Sequence, residues 1–159
     1  MTAAPNQPAG FKRTPANDNR RLFAAIAVLA LLGMVVSAIS LQRHYAKSAS
    51  SFCEFGEKFN CDVVNRSEYS TVMGIPVAGI GMAGYALLLA LATFYRKRPQ
   101  TASRLLAVSA AGLAFALYLT YIEGYVLETW CILCLSSLVT ITGITLMARV
   151  LKVRSRSPM

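Results

Sequence analysis

Charged residues are scarce in this chain. Asp, Glu, Lys and Arg make up 14% of its 159 residues, 55% are hydrophobic, and the mean hydropathy is +0.50. A soluble domain carries more charge and less apolar content than this. There is one histidine, His44, and there is no phosphate loop, dinucleotide fingerprint or zinc-protease pair, which sets aside the common nucleotide and metallohydrolase chemistries. The apolar runs hold no obvious haem ligands, and no internal repeat divides the chain. A net charge of +9 would indicate nucleic acid if the basic residues formed a stripe on a soluble fold. Here they cluster at the ends of apolar runs, which is a pattern of membrane topology.

Residues 1–21, rich in Pro, Asn and Ala, read as a disordered tail ending in basic residues. They lead into an apolar run, 22–41, of about 20 residues, roughly 30 Å as a helix and enough to cross a bilayer. Small residues at Ser37-Ala38-Ile39-Ser40 resemble a signal cleavage site, but the run is long for a signal peptide and predicts an uncleaved anchor. Further spans are predicted over 75–95, 105–127 and 131–150. Gly74, Ala78, Gly79, Ala83 and Gly84 supply small residues for close helix packing around the second. The N-terminal tail, the 96–104 turn and the segment after residue 148 each carry four Lys or Arg. The 42–73 loop also carries four, cancelled by Glu54, Glu57, Asp62 and Glu68. The positive-inside rule then predicts an all-α, four-span bundle with both termini cytoplasmic, a membrane domain over 22–150 and a basic tail over 151–159.

All four cysteines fall on the opposite, oxidising side. Cys53 and Cys61 flank Gly56 in the outer loop between the first two spans; Cys131 and Cys134 open the last span. A disulfide between the first two would close a loop of about nine residues and stabilise by roughly 2–3 kcal/mol. A bridge over two residues staples almost nothing, so the Trp130-Cys131-Ile132-Leu133-Cys134 stretch reads as a redox dithiol. Its two sulfurs share a helix face, and the first stands where a helix dipole makes a thiol more acidic. Two structural disulfides in a non-catalytic protein, or a four-cysteine zinc site, are the competing readings. In a relay, a mobile loop pair exchanges with a soluble protein, and the fixed pair passes two electrons to a lipid-soluble acceptor, for which a quinone fits. Glu123, near the outer end of the third span, reads as a functional ionisable residue or, as is commoner at that depth, as one that reaches the headgroups. Phe115, Tyr118, Tyr121 and Tyr125 form a stripe suited to packing or to a planar ligand. Ser136, Ser137 and Thr140 are candidate donors to such a ligand, or bond back to their own helix.

Cys53, Asn60-Cys61-Asp62-Val63-Val64, Ser67, Tyr69, Gly74-Ile75-Pro76-Val77, Gly81, Tyr85 and Trp130-Cys131-x-x-Cys134 together resemble the bacterial homologues of vitamin K epoxide reductase. The resemblance covers residues 20–150. It implies a four-helix membrane domain in the bacterial inner membrane, with a quinone (ubiquinone or menaquinone) near its periplasmic end. It also implies reoxidation of a periplasmic DsbA-like thioredoxin-fold protein, in support of disulfide formation. Carried over, Cys53 and Cys61 are the loop shuttle, Cys131 and Cys134 the quinone-proximal pair, and Ser67 and Cys134 lie beside the quinone; no metal is implied. Many such homologues append a thioredoxin-like domain; this chain stops at Met159, so its partner is expected to be a separate protein. Animal members have a tyrosine four residues after the last cysteine, where this chain has Leu138, a departure from vitamin K epoxide reduction. Reduction of a quinone or of vitamin K epoxide with another thiol donor is the alternative within the family. The other four-helix quinone-linked thiol oxidases, of DsbB type, place their Cys-x-x-Cys in the first outer loop, the opposite order.

Overall fold

The computed structural model describes residues 15–46, 58–98 and 100–156. Within them lie the helices α1 (Pro15–Tyr45), α2 (Cys61–Arg66), α3 (Val77–Thr93), α4 (Thr101–Tyr125) and α5 (Ile132–Arg156). Between α2 and α3 come a 3₁₀ turn, Glu68–Ser70, and an antiparallel hairpin of β1 (Thr71–Val72) and β2 (Ile75–Pro76), with Thr71 opposite Pro76 and Val72 opposite Ile75. The long helices form a ring in which α1 packs on α3 and α5, and α4 packs on α5 and α3. Ile26 and Ala30 of α1, Leu88 of α3, Leu105 of α4 and Ile144 and Ala148 of α5 meet in one core.

The outside of the ring is apolar as well, with Val28, Leu32, Leu87, Leu117, Val139 and Leu146 all exposed. Helices that are apolar on every side belong in a lipid phase rather than in water. Three stretches, Asn17–Tyr45, Thr101–Tyr125 and Ile132–Ser155, are long and apolar enough to cross a bilayer, whereas Val77–Thr93 is apolar but shorter. At 1.5 Å per residue α3 is about 26 Å long, near the lower limit for a span. The protein is thus a mainly helical membrane protein, with three helices of full spanning length among the described residues.

Helix ends depart from the apolar runs for local reasons. α1 begins at Pro15, so residues 15–21, expected to be disordered, are helical. Proline is tolerated in a first turn, where its missing N–H has no helical partner to lose. Asp18 favours the same turn through the helix dipole and pairs with Arg154 of α5 at 3.9 Å. That packing also carries α5 through Arg156, into the expected tail. α3 starts later than residue 75 because Ile75 and Pro76 belong to the hairpin. The two-residue turn of that hairpin needs left-handed backbone, and Met73 and Gly74 supply it at φ 53° and 82°. Gly74 therefore serves the turn, not helix packing. α4 starts at Thr101, whose Oγ1 donates to the Tyr95 carbonyl and shortens the basic connection. Residues 58–72 are folded, so half of the expected loop is built structure; Cys53 lies outside the described residues.

Close helix approach occurs at Gly33 of α1, where an added Cβ would lie 2.3 Å from the ring of Tyr85. That ring cannot swing away freely. It is 4% exposed, and its hydroxyl is held at 2.8 Å by Ser137 Oγ and donates to the Ser137 carbonyl at 3.0 Å. Gly33→Ala is expected to destabilise by about 1–3 kcal/mol through overpacking, set against at most about 1 kcal/mol gained from helix propensity. Thermal unfolding in detergent measures it, and a midpoint equal to or above the parent would contradict the packing described.

Candidate functional site

Backbone hydrogen bonds carry the loop to the end of the bundle. Trp130 N–H donates to the Lys58 carbonyl at 2.9 Å, and Asn60 N–H donates to the Trp130 carbonyl at 3.2 Å, so Phe59 and Trp130 lie side by side as a parallel bridge. Gly124 makes room for the indole, since a Cβ there would come within 3.1 Å of the Trp130 ring. Asn60 then caps α2, its Oδ1 accepting from the N–H groups of Asp62 and Val63 at 3.0 and 3.1 Å. This start point puts Cys61, 1% exposed, in one buried cluster with Cys131, 0% exposed, and with Val64 and Leu133. Cys61, expected on a mobile exposed loop, is instead a packed residue.

Asn65 sits one turn after Cys61. Its Nδ2 donates to the Cys61 carbonyl at 2.9 Å and to the Cys131 sulfur at 3.9 Å. The Asn65 carbonyl in turn lies 2.6 Å from His44 Nδ1 at the end of α1. A carbonyl only accepts, so that nitrogen carries the proton and the His44 tautomer is set. Ser67 follows as the cap of α2, its Oγ donating to the Val64 carbonyl at 2.8 Å.

Cys131 and Cys134 are free thiols that interact with each other, and Cys131 also meets the Cys61 thiol. The Cys131 thiol is pushed well above the usual range, first by its hydrogen bond with Cys134 and then by burial, with the Cys61 contact opposing both. Here the Cys134 contact and burial oppose the acidifying effect expected of the helix end. It is the backbone N–H of Cys131 that finds an anion, donating to Glu123 Oε2 at 3.2 Å. Glu123 is 2% exposed and interacts with the Cys134 thiol, so it does not reach out to the headgroups. A span end read from hydropathy does not tell which way a side chain turns; here α4 turns it inward.

Beside this cluster a cavity of about 350 Å³ opens among α1, α2, α3, α4 and α5. Cys134 lines it; Cys131 and Cys61 do not. Its walls are largely apolar, including Leu88, Val108, Phe115 and Ile141, and Ser67, His44, Tyr85, Glu123 and Ser137 are among the polar residues that interrupt them. That size and that sparse polarity match a pocket for one small planar ring, and a quinone head group fits the lining. Tyr85, Ser137 and Ser67 bring hydroxyls to that lining, but the Ser67 proton goes to the Val64 carbonyl and the Tyr85 and Ser137 hydroxyls are engaged with each other and with the Ser137 carbonyl, so donation to a quinone carbonyl requires one of them to leave its present partner.

The other aromatic expectations divide. Phe115 lines the cavity, but Tyr118, Tyr121 and Tyr125 point outward, and Tyr121 stacks on Tyr125 at 4.8 Å. On a helix of 3.6 residues per turn, a spacing of three rotates backward by about 60° per step, so the run drifts off Phe115's face. Ser136 and Thr140 bond back to the carbonyls of Ile132 and Ser136 at 2.8 Å each, while Ser137 faces Tyr85. Sequence reasoning missed Tyr85, Asn65 and His44 as members of the site. The lone histidine beside a cysteine loop, and the place of Tyr85 in the family motif, were the signals that could have found two of them.

A family model described as the vitamin K epoxide reductase family matches residues 24–148. That range takes in α1, the Cys61 segment, the cavity and the Cys131–Cys134 pair. The chain therefore belongs to the vitamin K epoxide reductase family, whose members are membrane thiol–disulfide oxidoreductases that work with a quinone.

Proposed function

We propose that the protein reoxidises a periplasmic DsbA-like thioredoxin-fold protein and passes the electrons to a membrane quinone, ubiquinone or menaquinone, supporting disulfide formation. One observation carries this reading: Cys61 is buried against Cys131, and Cys134 alone of the three borders the cavity. The order implied is donor, Cys53, Cys61, Cys131, Cys134, quinone. A Cys61 thiolate attacks the Cys131 sulfur of an oxidised Cys131–Cys134 pair and expels Cys134, and Cys53 then attacks Cys61 to release Cys131. When bound, the quinone supplies a two-electron, two-proton sink. Asn65 holds the Cys61 segment against Cys131 during the exchange. In this reading α3 crosses the bilayer as the fourth span, supported by its packing between α1 and α4. The same reading puts both termini in the cytoplasm of a bacterial inner membrane and the cysteines in the periplasm, an orientation supported by the basic residues at 12–21, 96–104 and 149–156.

Full-length protein in lipid vesicles, given a reduced thioredoxin-fold donor and quinone, tests the reading. The parent is expected to form quinol; in Cys61→Ser given the donor in its disulfide form, the Cys53 thiolate is expected to attack that disulfide and stay attached to the donor as a mixed disulfide, found by non-reducing mass spectrometry. Absence of quinol formation by the parent, or an adduct confined to Cys131, would refute the proposed order.

A further inference from the structure

Glu123 has more buried chemistry than its place on α4 requires. Oε2 is engaged by the Cys131 N–H at 3.2 Å, whereas Oε1 is buried with no hydrogen-bond partner among the described residues. The side chain borders the cavity and interacts with the Cys134 thiol. Among the described residues no basic side chain forms an ion pair with it. A carboxyl inside a membrane helix, facing a cavity rather than lipid, marks a functional position. A purely structural cap for the Cys131 N–H needs one acceptor oxygen, and an amide or hydroxyl would supply it without a second buried oxygen left over.

We infer that Glu123 is the catalytic proton carrier of the thiol–quinone step, with Oε2 anchored on the Cys131 backbone and Oε1 exchanging protons between the cysteine pair and the cavity. The inference rests on the function proposed above. Formation of the Cys131–Cys134 disulfide breaks two S–H bonds and makes one S–S bond, and two electrons and two protons end on the quinone as its quinol. The Glu123 carboxylate takes the proton of Cys134, becomes the acid, and gives that proton to a quinone oxygen. The regenerated carboxylate then takes the proton of Cys131 and gives it to the second quinone oxygen, which completes the quinol and restores the carboxylate. The Cys131 thiol is buried and hydrogen-bonded with Cys134, so a base beside the pair is what would make it a nucleophile. Anchoring matters as much as acidity, because proton transfer requires the acceptor within hydrogen-bond reach.

Glu123→Gln keeps the volume and an acceptor for the Cys131 N–H but cannot carry a proton. In full-length protein, with dithiothreitol as electron donor and a short-chain quinone as acceptor, its turnover is expected to fall about a hundredfold, the usual scale for a general acid–base group. Two readouts are expected to stay within about twofold of the parent. One is quinone binding, followed by quenching of Trp130, the only tryptophan. The other is the rate at which reductant opens the Cys131–Cys134 disulfide without quinone, followed by thiol trapping. Glu123→Asp, which keeps the carboxyl, is expected to recover part of the turnover. Turnover of the Gln variant within threefold of the parent would overturn the inference alone. So would loss of turnover accompanied by equal loss of binding or exchange, or by an Asp variant no better than Gln. A parent protein that does not reduce quinone even with dithiothreitol would overturn the functional reading, and this inference with it.

Discussion

Cys134→Ser is expected to lower donor-driven quinone reduction by at least about 10³-fold, the scale on which removing one member of a concerted catalytic unit disables the whole. The effect follows from position. Cys134 is the cysteine that borders the cavity, while Cys131 is enclosed between it and Cys61. Serine keeps the size and a hydroxyl, so Glu123, Asn65 and the first turn of α5 have no reason to move. Exchange upstream should then survive in a detectable form. In Cys53→Ser/Cys134→Ser, where Cys61 and Cys131 have each lost the other member of their pair, mild oxidation is expected to join Cys61 to Cys131, because the two are already in contact in the reduced arrangement. Peptide mapping without reductant reads that bond directly. Retention of more than a tenth of the parent activity in Cys134→Ser would place the quinone against another sulfur. Failure of the double variant to form the Cys61–Cys131 bond would mean that the loop does not deliver electrons there.

The fold was legible in the sequence where one physical signal dominates. Runs of about 20 apolar residues bounded by Lys and Arg announce membrane helices, because lipid tolerates no unsatisfied backbone and few charges. Three helices of spanning length answer to those runs, and α3 is the case where hydropathy misleads about length. Ile75 and Pro76 are as apolar as a span, but a proline with no N–H and a turn of positive φ at Met73 and Gly74 hand them to a hairpin. The reverse holds at Pro15 and Asp18, where polar residues extend a helix because α5 stands beside it with Arg154.

The site was legible as cysteine spacing and hardly beyond it. Cys131 and Cys134 one turn apart could be read directly, but the burial of Cys61 depends on the bridge between Phe59 and Trp130, which links residues far apart in sequence. The inward turn of Glu123 has the same origin. It lies on α4 opposite the first turn of α5, and the Cys131 N–H that greets it has no sequence signature. Tyr85 was quoted only as part of a motif; its hydrogen bonds to Ser137 bridge α3 and α5 and form part of the cavity wall. Pairings across the ring are set by helix packing, which a pattern within one helix does not encode.

Gly84→Phe is expected to raise the apparent KM for quinone by at least about 10²-fold, equivalent to roughly 2.8 kcal/mol of lost binding. Gly84 lines the cavity on α3, and a Cβ built there meets nothing within 4 Å, unlike Gly33, Gly81 or Gly112. The space beside it is therefore the cavity itself, and a benzyl group entering it competes for the volume a quinone ring needs. Filling a void rather than colliding with a neighbour should leave thermal stability equal to or above that of the parent. Cys61 and Cys131 do not border the cavity, and Cys134, which does, stands on α5 whereas Gly84 stands on α3. Dithiol-driven opening of the Cys131–Cys134 bond, measured by thiol trapping without quinone, should accordingly proceed at the parent rate. A KM effect with intact exchange separates the ligand cavity from the thiol path. An unchanged KM would mean that the quinone binds elsewhere, and loss of exchange alongside the KM effect would mean that α3 also holds the cysteines in place.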